Sequence, residues 1–308
     1  MIKTKENMSM KLKKLFGLAS VAFASTVLLA ACGGSSSSSS SDDTTLKVGI
    51  MTLDDATEPL WDKVKELAED KGVKIELVEF TDYNQPNEAL QNGEIDVNAF
   101  QHKYFLKNWN SENDGTLVEV ADTLLSPIRL FSGTDSDGDA KYTDVSDIPD
   151  KGTISIPNDA SNESRALYLL QSAGLIELDV SGDELATIKN ISSNPKNLDI
   201  KEVDAAQTAS TLTSVDAAVI NNSYAQSADV DYDTTLYKEA VDENSNQWIN
   251  VIAAQKGWKK SDKADAIKTL VSVYQTDEVG KIIKEASGGA DIPAWDGATT
   301  SSSSSDDD

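Results

Sequence analysis

The first strongly patterned stretch of the chain alternates. Leu46, Val48 and Ile50 are apolar with Lys47 and Gly49 between them, which is the period of a strand. A helix follows near Thr57, with Pro59 in its first turn and Leu60, Val64, Leu67 and Ala68 on one face, and Gly72 stops it. Val73, Ile75 and Leu77 then alternate as a second strand. Strand, helix and strand within about 35 residues make a βαβ unit, which implies a parallel sheet. Pro86 opens a second helix that ends near Gly93, and residues 95–100 read as a third strand. The grammar returns further on. Residues 153–156 form a short strand, 157–162 a polar loop, 164–173 a helix closed by Gly174, and 214–220 another strand. The pattern therefore predicts an α/β protein with two similar lobes.

The N-terminus follows different rules. Lys3, Lys5, Lys11, Lys13 and Lys14 precede an apolar run over 15–30, interrupted by Gly17, Ser20, Ser25 and Thr26 and shorter than the roughly 20 residues a spanning helix needs. The run meets Leu29-Ala30-Ala31-Cys32. A basic stretch, a short apolar stretch and small residues before a cut form a secretory signal, and L-A-A-C resembles the lipobox of bacterial lipoproteins, in which the Cys is lipidated. Gly33, Gly34 and a run of serines over 35–41 follow, a composition that buries nothing and acts as a tether. The expected organisation is a lipoprotein signal at 1–31, a Ser-rich tether at 32–44, a first lobe of 45–128 plus 248–297, a second lobe of 129–247, and a disordered acidic tail at 298–308.

Composition narrows the chemistry. Among 308 residues, 27 Lys and Arg face 52 Asp and Glu, a formal net charge of −25, which repels phosphate backbones and argues against nucleic acid as a partner. One Cys and one His exclude an intrachain disulfide, a Cys-rich zinc site and a catalytic His pair. No strained G-x-S-x-G turn accompanies His102, so neither an enzyme nor a cofactor is expected. The Asp135-x-Asp137-x-Asp139 run is a poor calcium loop, because Gly138 stands two positions early and the twelfth position is Ser146; no metal site is expected.

Ligands of open parallel sheets sit outside the carboxyl ends of the strands. Here those ends carry Asp82, Tyr83 and Asn84, then Asn98, Phe100, Gln101, His102, Tyr104 and Phe105, in the first lobe. The second lobe offers Asn158, Asp159, Asn162 and Arg165, then Asn221, Asn222 and Tyr224. Aromatics on one side and amides with an Arg on the other suit a small zwitterion with an apolar side chain. The bland alternatives are a His102 bonded to a carbonyl and an Arg165 paired with Glu163 or another acid.

Several segments taken together carry a resemblance. They are Asp82-Tyr83 with Pro86-Asn87-Glu88-Ala89-Leu90, Asp96-Val97-Asn98-Ala99-Phe100-Gln101-His102, and Ile156-Pro157-Asn158-Asp159 with Asn162 and Arg165-Ala166-Leu167. Asn194-Pro195-Lys196-Asn197-Leu198 and Ala218-Val219-Ile220-Asn221 complete the set. Over residues 46–297 the chain resembles the methionine-binding lipoproteins, the NlpA or MetQ family, of bacterial ABC importers. The resemblance implies a two-lobed, periplasmic-binding-protein-like fold of type II, with two crossing strands as a hinge, at 127–132 and 248–253. It implies Tyr83, Phe100, His102 and Phe105 around a thioether side chain, Arg165 on the carboxylate, and Asn162, Asn221 and Asn250 bonding carboxylate and amine. It also implies methionine as ligand, an ABC permease and its ATPase as partners, and a membrane anchor through Cys32 on the extracytoplasmic face. Three positions depart from the pattern: Tyr104-Phe105 replaces Pro-Tyr, Trp248 stands for a Tyr, and Arg129 occupies a place where a small residue is common. A second cation at Arg129 would assist carboxylate binding or accommodate a longer, peptide-like ligand. The rival expectations are a methionine-containing dipeptide, another apolar amino acid, or an adhesin that reuses the fold.

Overall fold

The computed structural model describes residues 44–181 and 184–298. The expected signal, Cys32, nearly all of the tether and the tail beyond 298 lie outside the described residues. The chain runs β1 (Thr44–Met51), α1 (Glu58–Glu69), β2 (Val73–Phe80), α2 (Gln85–Asn92), β3 (Val97–His102), α3 (Lys103–Glu112), β4 (Val118–Leu125) and β5 (Arg129–Ser132). It continues β6 (Thr153–Pro157), α4 (Ala160–Ser172), β7 (Glu177–Leu178), β8 (Ile191–Ser193), β9 (Asp199–Val203), β10 (Ala217–Ile220), α5 (Asn222–Ser227) and β11 (Thr235–Lys238). Last come β12 (Ile249–Ala254), α6 (Ala264–Tyr274), α7 (Asp277–Ala286) and β13 (Ile292–Pro293).

These elements form a two-lobed α/β fold on two main sheets. The first has strand order β13-β4-β12-β3-β1-β2 and the second β11-β5-β10-β6-β9. The pairs β1–β2, β1–β3, β6–β9 and β6–β10 are parallel, as βαβ connections require. β12 enters the first sheet antiparallel to both β3 and β4, and β5 enters the second antiparallel to β10. The chain thus passes between sheets in the residues just before β5 and again just before β12. The strands predicted as crossings each belong to one sheet, and the short segments ahead of them make the passage.

Local chemistry accounts for the elements near the site. Thr57 is the N-cap of α1 and a Pro sits in the first turn, where its missing N–H costs nothing. Leu60, Trp61, Val64 and Ala68 then face the first sheet, packing with Leu46, Val48, Ile252, Ile267 and Leu270. Gly93 ends α2 with φ of 74°, a left-handed conformation that glycine adopts without strain. The second core gathers Ile154, Ile156 and Val219 with Leu167 and Leu170. Each fully buried side chain of this size stabilises the fold by about 1.5–3 kcal/mol.

One boundary differs from the sequence expectation. Helix α4 begins at Ala160 rather than at residue 164, so Asn162 lies in its first turn and not in a loop. Asp159 makes this start: it is the N-cap, and its side chain accepts the Asn162 backbone N–H. Among the described residues, no helix is long and apolar enough to cross a membrane.

Candidate functional site

All eight nominated side chains, Tyr83, Phe100, His102, Phe105, Asn162, Arg165, Asn221 and Asn250, line one cavity of about 120 Å³ between the two sheets. That is close to the roughly 150 Å³ of an engineered cavity known to admit benzene. The elements explain the convergence. Tyr83 follows β2, Phe100 and His102 end β3, Asn162 and Arg165 follow β6 on α4, and Asn221 follows β10. Asn250 on β12 is the register partner of His102, and its Nδ2 donates to Leu124 O at 3.3 Å.

One wall is aromatic. Tyr83, Phe100 and Phe105 stand with ring centres 5.8–5.9 Å apart, two of the three pairs edge to face. Tyr83 also reaches across the lobes: its Oη lies 2.6 Å from Ser223 Oγ, and its ring 4.7 Å from that of Tyr224. Burial raises the Tyr83 phenol pKa, so the hydroxyl stays protonated.

The opposite wall is a directional polar relay. Asp159 is acceptor-only while ionised, and its two carboxylate oxygens take the Asn162 Nδ2 protons at 3.0 Å each. This turns Asn162 Oδ1 toward the cavity side, where it accepts from Asn221 Nδ2 at 2.8 Å and lies 3.3 Å from His102 Nε2. His102 Nδ1 accepts the Phe105 backbone N–H at 3.0 Å as the N-cap of α3, so the ring proton sits on Nε2 and points at Asn162. Burial, and then the charge of Arg165, lower the His102 pKa to about 3, which keeps the imidazole neutral. Asn162 is thereby committed at both ends. Asn221 is not: its amide nitrogen is used, and its buried Oδ1 has no partner among the described residues. Burial raises the Asp159 pKa despite its hydrogen bonds.

Arg165 is almost fully buried and held on one edge. Its Nε donates to Glu239 Oε1 at 2.8 Å, and its Nη2 to Glu239 Oε2 at 2.5 Å and to Ser126 O at 2.9 Å. The guanidinium carbon lies 4.8 Å from the Trp248 ring centre. Its ion-pair partner is therefore Glu239, while Glu163 takes the Ile188 backbone N–H. Arg165 Nη1 has no hydrogen-bond partner among the described residues.

Arg129 does not join the cavity lining. Its Nη1 donates to Pro127 O and to Asn222 Oδ1, and its guanidinium stacks over Tyr232 at 4.7 Å, so it braces the passage between sheets. Asn98 lies outside the cavity lining and Gln101 borders it, and both bond Asn87 in a buried amide triad. Trp61 packs in the first core, 5.9 Å from Tyr274, and also borders the cavity. The Asp135 carboxylate accepts the backbone N–H groups of Asp137 and Asp139 within its own loop.

Sequence reasoning missed Asp291, a buried carboxylate in the cavity wall. It accepts from Ser126 Oγ at 2.5 Å, Asn222 Nδ2 at 2.7 Å and Gln226 Nε2 at 3.2 Å, and burial raises its pKa. Asn222, next to Asn221, is the one member of this cluster with a visible sequence signal. Glu239 was missed as well.

The comparisons with known proteins agree with this architecture. The family model described as NlpA lipoprotein matches residues 46–295. A probable D-methionine-binding lipoprotein MetQ of Pasteurella multocida is 35% identical over 293 residues, covering 93% of this chain and all of the relative. The crystal structure of the substrate-binding protein of a methionine transporter from Streptococcus pneumoniae is 55% identical with a TM-score of 0.79, covering 82% of this chain and 96% of its own. A nutrient-binding protein from Burkholderia cenocepacia, solved bound to methionine, is 34% identical with a TM-score of 0.73, covering 81% of this chain and the whole of its own. The match of the family model across both lobes, with relatives of this identity and coverage, identifies the chain as a member of the NlpA lipoprotein family.

Proposed function

We propose that this protein is a lipid-anchored substrate-binding protein that captures methionine on the extracytoplasmic side and hands it to an ABC permease powered by a separate ATPase. Cys32 is the anchor, residues 32–44 the tether, and 45–128 plus 248–297 and 129–247 the two lobes that close on the ligand. The chain's own work is reversible binding, not catalysis.

The observation that carries the proposal is a buried acceptor without a partner among the described residues, the Asn221 carbonyl oxygen, in a cavity that Arg165 also lines with an Nη1 that no described residue bonds. A buried acceptor without a partner is costly, by about 1–3 kcal/mol, and an incoming ammonium removes that cost. The guanidinium of Arg165, lining the same cavity, suits the carboxylate of the same α-amino acid. The aromatic wall suits a thioether, with sulfur–aromatic contacts of about 0.3–1.5 kcal/mol each. A cavity of about 120 Å³ favours one small amino acid over a dipeptide, and Arg129, which would have suited a longer ligand, is spent elsewhere.

Calorimetric titration of residues 45–298 with L- and D-methionine, after unfolding and refolding to strip carried-over ligand, tests this. The expected result is saturable one-to-one binding, tighter than to leucine or glutamine, and weaker by roughly a few kcal/mol in Arg165→Ala. No binding by correctly refolded protein would discard methionine and bring the adhesin alternative forward.

A further inference from the structure

Arg165 is a partition between two spaces. On one side lies the ligand cavity; on the other lies an outer groove whose wall contains Arg165, Glu239, Asp242 and Trp248. Glu239 and Trp248 line the groove and not the cavity. Glu239 therefore acts on a ligand only through the guanidinium, whose Nε and Nη2 it spans with both carboxylate oxygens at 2.8 and 2.5 Å. The Arg165 side chain is 3% exposed and that of Glu239 17%, so water screens their charges weakly. The other charges at the cavity have protein partners of their own. Asp291 is bonded by Ser126, Asn222 and Gln226, and Asp54 accepts from Ala56 N, Thr57 N and Thr57 Oγ1.

We propose that Glu239 is a specificity-determining residue that sets which ligand charge the site accepts: by neutralising Arg165 from behind, it makes the site favour a zwitterion over a bare carboxylate. This rests on the reading above, in which Arg165 receives the carboxylate of an amino acid. The electrostatics are simple. A zwitterion places a carboxylate near Nη1 and an ammonium near Asn221 Oδ1, two opposite charges close to the same guanidinium. With Glu239 present, the Arg–Glu pair has no net charge, and the ammonium meets little repulsion. Without that carboxylate, Arg165 becomes an unbalanced buried cation. It then attracts the carboxylate of both ligands more strongly but repels the ammonium of the zwitterion, so the bare carboxylate gains more and the preference for the zwitterion narrows. A clamp that merely held the Arg165 geometry would change both classes together.

The test compares L-methionine with 4-(methylsulfanyl)butanoate, the same skeleton without the amino group, by calorimetry on the wild-type lobes and on Glu239→Gln, which keeps the side chain's shape and one acceptor oxygen. Wild type is expected to prefer methionine by at least a hundredfold, and the preference to fall at least tenfold in Glu239→Gln. Glu239→Asp, which keeps the charge, is expected to retain the wild-type preference even if both affinities drop. An unchanged ratio in a folded Glu239→Gln protein overturns the role of Glu239 and leaves methionine binding intact. Wild type that binds the desamino acid as tightly as methionine overturns it without any variant. Wild type that binds neither ligand removes the amino-acid reading and this proposal together.

Discussion

Replacing Asp159 with asparagine reverses the direction of the polar relay while preserving its shape. Asn is as good an N-cap as Asp, and its Oδ1 still receives the Asn162 backbone N–H, so α4 keeps its start. The other end of the new amide is a donor, and it faces the Asn162 Nδ2 that now donates to both carboxylate oxygens at 3.0 Å. Asn162 relieves the clash by turning over, which sends its Nδ2 toward Asn221. Asn221 must then turn as well, and the acceptor that faced the cavity becomes an NH₂. The His102 tautomer does not follow, because Phe105 N–H requires Nδ1 as acceptor, so the Nε2 proton loses the Asn162 oxygen that lay 3.3 Å away. On the proposed binding mode the ligand ammonium then loses a charge-assisted hydrogen bond worth about 1.5–3 kcal/mol, and affinity for methionine should fall roughly 10- to 150-fold. Thermal stability should change little, since the lost hydrogen bonds are offset by relief of a buried carboxylate whose pKa burial had raised. Calorimetric titration paired with a thermal melt reads both quantities. A folded Asp159→Asn protein with wild-type affinity would refute the relay, and a collapse of the melting temperature would make Asp159 a scaffold residue.

Other outcomes follow from the same geometry. His102 has a pKa of about 3 in the folded protein against an ordinary 6.5, so the stability it contributes is complete above pH 6.5 and is lost as pH falls toward 3. Melting curves between pH 7 and 4 should flatten in His102→Asn, which keeps an N-cap acceptor but cannot titrate; an unchanged slope would mean the imidazole does not gate acid unfolding. Asp159 and Asp291 act with the opposite sign, because burial raises their pKa values and favours the folded state as pH falls through them. Tyr83→Phe deletes the 2.6 Å bond to Ser223 across the lobes, about 0.5–1.5 kcal/mol, and should weaken ligand binding roughly 2- to 12-fold in the same titration. Gly133→Ala would set a methyl carbon 2.1 Å from Val215 O, a backbone atom that cannot step aside cheaply, and should cost about 1–3 kcal/mol or more in denaturant unfolding.

The first βαβ unit was legible because strong punctuation brackets each element: Pro59 and Gly72 around α1, Pro86 and Gly93 around α2. The start of α4 was not. Ser161, Asn162, Glu163 and Ser164 are polar and yet buried, so the helix shows no amphipathic stripe there, and only Asp159 marks its beginning. The eight cavity residues were legible as chemistry concentrated at strand ends, and the family resemblance selected among them. Glu239 and Asp291 had no such signal. Each is one acid among 52, and each takes its role from partners far away in the chain, 74 residues between Arg165 and Glu239 and 165 between Ser126 and Asp291. Arg129 shows the converse: a cation at an unusual position invites a ligand role, and packing against Tyr232 and Asn222 assigns it a bracing one.

The strand order of the first sheet also constrains how the chain is made. β12 lies between β3 and β4, but β4 ends at Leu125 and β12 begins at Ile249, with every strand of the second sheet in between. During synthesis or passage across a membrane from the N-terminus, the second lobe has all its strands before the first can close. Until Ile249 arrives, β3 and β4 hold open edges, the kind of surface that recruits foreign strands. Completing the sheet then requires a loop of more than a hundred residues to be closed, a slow step by its topology. The aggregation risk of this protein is therefore concentrated in one interval of its biogenesis, and a chain cut short before β12 would carry a finished second lobe attached to a first that cannot fold.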